Sequence, residues 1–437
     1  MWLLRITLNR RPYNPAPIGA IFLNLRLSSH FGLAAAGVLI FLALVLTSGR
    51  IVAGGGLGWD GRGYARIMAE GLDQGSEMTR TRPLLPLLTR IPHALGFDVI
   101  PSFQVMNVVY AFTLYLFCSL ILDAYGASFP ARALVIGNLA LCIATSRMFA
   151  FYPVQIDLGV LALITAGFYF VMTDRHPIGG AVAIVAMASR EFGLVIVLCG
   201  LHRALRPPSP IARVGFGEAG LWRGAVWYLP ALAVGALVRW WTYSEGVLSS
   251  SDALANLTFL LQPAFVTAFV YFIVTVLGGI SALLVVRPRW CAARLRREPE
   301  LASYLVVIGG LAAIGNLDVW RYLMFALPVG LVLIAQYFEG LPPSVARVTA
   351  AAMTFVTVIT QRPFQRMDQD LYFQDWFPLY SIIPGPPTRD LLTLWGMRLI
   401  ALVLVLILIQ LIQRSAAPAV AGGSARLRRG RQQEQTP

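Results

Sequence analysis

Apolar residues come in long runs along this chain, and most of the charged residues lie in the stretches between them. The runs fall at about 30–48, 101–122, 131–150, 154–172, 178–202, 225–242, 257–286, 300–316, 320–338, 347–360 and 392–413. Several approach the ~20 apolar residues that a helix needs to cross a ~30 Å hydrocarbon core. The pattern predicts an all-α, polytopic integral membrane protein with about 10–11 hydrophobic helices, since helices satisfy their own backbone polar groups in lipid. Residues 1–415 read as one transmembrane domain, and 416–437 as a disordered, basic, cytoplasmic tail.

Arginine placement orients the runs. Residues 1–29 are basic, which predicts a cytoplasmic N-terminus, and the first run lacks a cleavable signal pattern and reads as an anchor. If all the runs crossed, the basic stretches 203–224 (Arg203, Arg206, Arg213, Arg223) and 287–297 and the tail would lie outside, against the positive-inside rule. The run 178–202 resolves the conflict. Ser189, Arg190 and Glu191 interrupt it at its centre, and a dozen residues on either side would reach only ~18 Å as helix. The expected structure is a re-entrant hairpin of two half-helices, entering and leaving from the cytoplasm of an inner (plasma) membrane. Asp60, Arg80, Arg82, Arg147, Asp157, Arg239, Asp318, Arg321 and the loop 361–390 then share the outer face. Arg190 and Glu191 point towards that face from within.

Composition agrees with this class. Hydrophobic residues make up 57% of the 437 and charged residues 13%, against about 25% charged in soluble domains. All 35 basic residues are arginine, and the net charge of +14 reads as orientation signal, with no nucleic-acid partner implied. Cys118, Cys142, Cys199 and Cys291 have neither disulfide-framework nor zinc spacing, so the sequence indicates no metal site. No glycine-rich nucleotide loop of the G-x-G-x-x-G type follows a strand.

The long early loop 49–100 holds most of the candidate chemistry. Asp60 opens a short helix, Asp60–Gly71, with Tyr64 and Met68 on the face below it at i+4 spacing. Asp60 reads either as the helix N-cap or as a general base beside Gly61, where a substrate approaches closely. Pro83–Leu95 reads as a proline-broken interfacial helix with Leu84, Leu87, Leu88 and Ile91 on one face, flanked by Arg80, Arg82 and Arg90.

Trp59-Asp60-Gly61, Tyr64, Ile67, Ala69 and Gly71, followed by Arg82-Pro83-Leu84-Leu85-Pro86-Leu87-Leu88, resemble the first outer loop of GT-C glycosyltransferases. The pattern is most similar to the mannosyltransferase group with a Trp-Asp-Gly opening. The resemblance covers about thirty-five residues and implies a sugar donor carried on a polyprenyl phosphate, an extracytoplasmic acceptor hydroxyl on a glycan, lipid or protein, and Asp60 as catalytic base. Many such enzymes carry a second first-loop acid, for which Asp73 and Glu77 are available, so a divalent metal is possible and the cofactor is unknown. In that reading Arg82 meets lipid phosphate, since guanidinium binds phosphate through two parallel hydrogen bonds, and Arg90 snorkels to headgroups.

Other polar residues carry two readings each. Asp318 and Arg321 form either a local cap and ion pair or a site contact in which Arg321 binds the leaving phosphate. Arg190 and Glu191 either stabilise a helix break or line the site. Asp157 is expected to cap a helix. In 361–390, Trp376 with Asp368, Asp370 and Asp375 suits sugar binding or an aromatic belt. The second functional reading is a transporter or lipid flippase of the cell envelope.

Overall fold

The computed structural model describes residues 19–52, 54–58, 60–205, 224–242, 276–314 and 319–361, with six positions between 400 and 411. Every regular element among these residues is helical. Four helices are long and apolar enough to cross a membrane: Leu27–Thr47, Val99–Ala124, Arg321–Glu339 and Pro343–Gln361. Phe129–Leu141, Asp157–Met172, His176–Ser189 and Pro299–Ala312 are apolar but shorter. Asp318, Trp376, the tail and most of the runs 257–286 and 392–413 lie outside the described residues.

The main helices are α1 (Gly19–Thr47), α2 (Asp60–Glu70), α3 (Val99–Ala124), α4 (Phe129–Leu141), α5 (Asp157–Met172), α6 (His176–Ser189), α7 (Leu194–Ala204), α8 (Leu229–Thr242), α9 (Pro299–Ile314), α10 (Leu327–Glu339) and α11 (Pro343–Gln361). The centre belongs to α5. Its sequence is apolar all round, and Leu158, Val160, Leu161 and Ile164 are wholly buried against α3, α6, α7 and α10. On α1, Leu33, Phe41 and Leu44 face this core while Leu39, Leu42 and Leu46 are exposed. A helix apolar on both its packed and its open face is what a lipid-facing position requires.

Contacts sort the helix ends into two sets. At one end lie the start of α3, the start of α5 and the first loop: Gly56 lies against Ile100, and the Ile51 amide donates to the Phe151 carbonyl at 3.1 Å. At the other end, Gly126 after α3 lies against Glu339 of α10, and Arg203 of α7 reaches Asp174 after α5 and Glu300 of α9. The arginine-rich helix Pro288–Arg297 leads directly into α9 at that second end.

Two expected elements differ in detail, and a third breaks where its charges lie. The run 131–150 is not one helix. Thr145 Oγ1 and Ser146 Oγ both donate to the Leu139 carbonyl, so side chains take the acceptor that the next helical turn would use. The helix stops at Leu141, and a single turn, Arg147–Phe151, follows. The segment Pro83–Leu95 forms two pieces, Leu84–Leu88 and Arg90–Ala94, because Pro86 and Pro92 cannot donate to a continuous ladder. The run 178–202 breaks as its charges predict, and there the chain reverses. Arg190 is extended (φ −169°, ψ 154°). Gly193 then passes so near α6 that a Cβ would sit 2.6 Å from the Ala186 carbonyl carbon, a fit open to glycine alone. At the base of this hairpin Arg203 Nε and Nη2 donate to Asp174 at 2.8 and 3.2 Å. The Tyr228 ring lies against both Gly179 and Gly200 there. The start of α6 and the end of α7 are thus neighbours, with Arg190 and Glu191 at the opposite tip.

Candidate active site

The glycine-rich stretch before α2 sets the position of Asp60. Gly54, Gly55, Gly56 and Gly58 all have positive φ, which glycine adopts without steric cost. Gly58 (φ +65°) lies flat on the Tyr152 ring, where any Cβ would collide. The Gly61 amide donates to the Tyr152 hydroxyl at 3.1 Å. Helix α2 therefore begins against the irregular segment Tyr152–Ile156. It buries Tyr64, Ile67 and Met68 and leaves Arg62, Arg66 and Glu70 exposed. Burial pushes the Tyr152 hydroxyl above the ordinary tyrosine range, and the nearby Asp60 charge adds to that, so Tyr152 stays protonated beside the carboxylate.

Around Asp60 the structure assembles an ionic cluster from five separate stretches of chain. Arg321, near the start of the segment leading to α10, donates from Nε and Nη2 to Asp157 Oδ2 at 2.9 and 2.6 Å and from Nη2 to Gln155 Oε1 at 2.8 Å. Its Nη1 lies 3.7 Å from Asp60 Oδ2. Arg190 at the hairpin tip pairs with the other oxygen of Asp157. Its guanidinium sits 5.1 Å from the Phe192 ring centroid and 5.6 Å from that of Tyr322. Glu191 meets Arg190 (3.5 Å), Arg82 (3.3 Å) and Arg239 of α8 (2.7 Å). Arg82 also donates to the Tyr64 hydroxyl at 3.3 Å. Burial disfavours the charge on Arg82, but Glu191 and Tyr64 outweigh it and hold its pKa above the usual arginine value.

The cluster has a closed floor and an open rim. The Asp157 and Arg190 side chains are 2% exposed, whereas Asp60 and Glu191 are 29% and Arg239 40% exposed. Four arginines stand against three carboxylates, an excess of one positive charge among the described residues.

No family model, curated protein or solved structure matches the chain. What the site does is therefore argued from its own geometry. Of the residues singled out by sequence, Asp60, Tyr64, Arg82, Arg190, Glu191 and Arg321 come together. Arg80 does not: its Nε donates to the Gly75 carbonyl at 2.7 Å. Arg90 donates to the Met68 carbonyl at 2.7 Å, pinning the Arg90–Ala94 turn beneath α2. Arg147 is wholly buried and donates to the Gln361 carbonyl at the end of α11.

Sequence reasoning gives Asp157 a capping role. It does open α5, but its carboxylate is spent on Arg190 and Arg321, and the preceding residue makes no side-chain cap. Gln155, Tyr152 and Arg239 do not stand out in the sequence as site residues. The available signal is two polar residues, Gln155 and Asp157, at the head of a stretch otherwise apolar to Ile164. Among the described residues no group of three or more His, Cys, Asp or Glu is placed to hold a metal ion; Asp73 lies on the short turn after α2.

Proposed function

We propose that the chain is a membrane-embedded glycosyltransferase of GT-C type. It transfers a sugar from a polyprenyl-phosphate carrier to a hydroxyl of a glycan, lipid or protein acceptor at the extracytoplasmic face, with inversion. The observation that carries this reading is a partly exposed carboxylate, Asp60, set on the rim of a cluster of four arginines. The resemblance of the Trp59–Leu88 segment to the first loop of that superfamily supports it.

In this mechanism the acceptor oxygen attacks the anomeric carbon from the side opposite the phosphate. Asp60 takes the hydroxyl proton. The bond from the anomeric carbon to the phosphate oxygen breaks, and its electron pair leaves with the lipid phosphate. Arg321 and Arg82 face the charge that develops there, and preorganised charge usually lowers the barrier more than any other single device in an enzyme site. Asp157 accepts from Nε and Nη2 of Arg321, and Arg321 Nη1 lies 3.7 Å from Asp60.

We read the bundle as polytopic in an inner membrane, with the site end outside and the Arg203 end cytoplasmic. The hairpin α6–α7 is then re-entrant: α6 is 14 residues long, or ~21 Å, short of the ~30 Å core. A buried ionic tip is tolerated at that depth because it faces protein.

A lipid transporter is the second reading. The broken helix pair carrying charge into the bundle favours it, since transporters build their sites from discontinuous helices. One experiment separates the two. Purified protein in detergent is given a panel of polyprenyl-phosphate sugars with acceptor, and products are analysed by mass spectrometry. A transporter makes no product there. Asp60→Asn is expected to remove the product formed by wild type, losing ~10²–10⁴ in rate.

A further inference from the structure

The contacts of Glu191 differ in kind from those of the other carboxylate in the floor of the site. Asp157 is 2% exposed and holds Arg321 at 2.6 and 2.9 Å. Those are the lengths of strong charge-assisted hydrogen bonds. Glu191 is 29% exposed and meets Arg82 at 3.3 Å and Arg190 at 3.5 Å, with one short contact, 2.7 Å, to Arg239.

Arg82 is poorly served by this arrangement. It is 10% exposed, its contacts to Tyr64 and Glu191 are both 3.3 Å, and its buried Nε has no hydrogen-bond partner among the described residues. A buried guanidinium with long bonds and an unused donor is under-satisfied, and an acceptor with more oxygens would serve it better. Arg239, on the other side of Glu191, is the most exposed arginine of the cluster.

The two carboxylate oxygens of Glu191 are divided between arginines from different elements. Oε1 goes to Arg82 of the first loop and Arg190 beside it, and Oε2 to Arg239 of α8. The two non-bridging oxygens of a phosphate ester would span the same pair. Resting on the proposed lipid-phosphate donor, we infer that Glu191 is a placeholder for the donor phosphate. Its carboxylate occupies the seat between Arg82 and Arg239 and is displaced when the phosphate arrives. Until then it spares two clustered cations from standing uncompensated. Arg239 is thereby assigned as a phosphate-binding residue.

The test measures binding of farnesyl phosphate, farnesol and inorganic phosphate to the purified full chain in detergent. A placeholder competes with its ligand. Glu191→Gln is expected to bind farnesyl phosphate about three- to tenfold more tightly, the modest size reflecting a partly solvated charge. Arg82→Gln and Arg239→Gln should each bind it at least about tenfold more weakly. If Glu191→Gln does not yield folded protein, Glu191→Asp carries the test: its shorter arm cannot bridge both arginines, and tighter binding is again expected. Equal or weaker binding by the folded Glu191 variant overturns the inference and makes Glu191 an organiser of the arginines. Wild-type protein that prefers farnesyl phosphate no more than farnesol refutes the phosphate seat, and the donor assignment with it. Inorganic phosphate that binds as tightly as farnesyl phosphate, with the same response to Glu191→Gln, keeps the placeholder and overturns only the lipid donor.

Discussion

Asp157→Ala is the substitution that most directly separates the scaffold of this site from its chemistry. The Asp157 carboxylate is 2% exposed and compensates two buried guanidiniums, Arg190 and Arg321. Removing it leaves both without their principal counter-charge. Removing one partner of a buried ion pair costs about 3–5 kcal/mol, much of it the penalty of the charge left behind. Two stranded cations put this variant at the upper end. For a chain of this size such a loss lowers the unfolding midpoint by about 3–5 °C. Cys118, Cys142 and Cys199 are buried and free, so a thiol-reactive fluorogenic dye reports unfolding in detergent without any introduced label. Asp60→Ala is the internal comparison. Its side chain is 29% exposed, its ion pair with Arg321 is 3.7 Å long, and a contact of that kind contributes about 0–1 kcal/mol. Combining Asp157→Ala with Arg321→Ala should cost less than the two singles added, because the second change removes one stranded charge. A shift below ~2 °C for Asp157→Ala, or one no larger than that of Asp60→Ala, would refute the view that Asp157 holds the floor of the site together.

Other outcomes follow from the same geometry. Asp60→Asn should leave the unfolding midpoint within ~2 °C of wild type while transfer falls ~10²–10⁴-fold; a variant that keeps its rate rules Asp60 out as base. Arg321→Ala should lower turnover more than Arg90→Ala, since Arg90 ends on a backbone carbonyl away from the cluster; steady-state rates at saturating donor decide it, and equal losses would return Arg321 to a structural role. Cysteines placed at Arg175 and Leu205, both exposed at the base of the hairpin, should both resist a membrane-impermeant maleimide in intact cells. Labelling of one and not the other would mean that the segment crosses the membrane.

The apolar runs made the helical class and most helix positions legible, because burial on all sides needs no precise partner to be recognised. Asp60, Arg82, Arg190, Glu191 and Arg321 stood out as charges that a hydrocarbon-facing chain tolerates only for a reason. Their joining through Asp157 did not stand out. An aspartate at the head of a helix looks the same whether it caps the backbone or faces inward, and only the arrival of Arg190 and Arg321 from stretches 33 and 164 residues away decides it. Arg239 was placed on the shared outer face by the sequence, but nothing there set it apart as a site residue. The break after Leu141 was invisible to hydropathy, since Cys142–Thr145 is nearly as apolar as a helix and the hydroxyl bonds that end it are local. Arg80 shows the reverse error: proximity in sequence to Arg82 carries no guarantee of proximity to the cluster.

Tyr228 makes the hairpin and α8 a calibrated pair. Its ring is the shim between α8 and the hairpin base, resting on Gly179 and Gly200 with its hydroxyl 3.2 Å from His176 Nδ1. Arg239 lies eleven residues further along the same stretch, ~16 Å towards the rim. The thickness of that shim fixes the tilt of one strut against the other, and so the gap between Arg239 and Glu191 at the far end. A methyl group added at Gly200 would wedge the base and change the aperture at the rim without touching a single charged residue. The sensitivity of this site is therefore set partly at the end of the bundle most remote from it, where two missing side chains act as the adjustment screw.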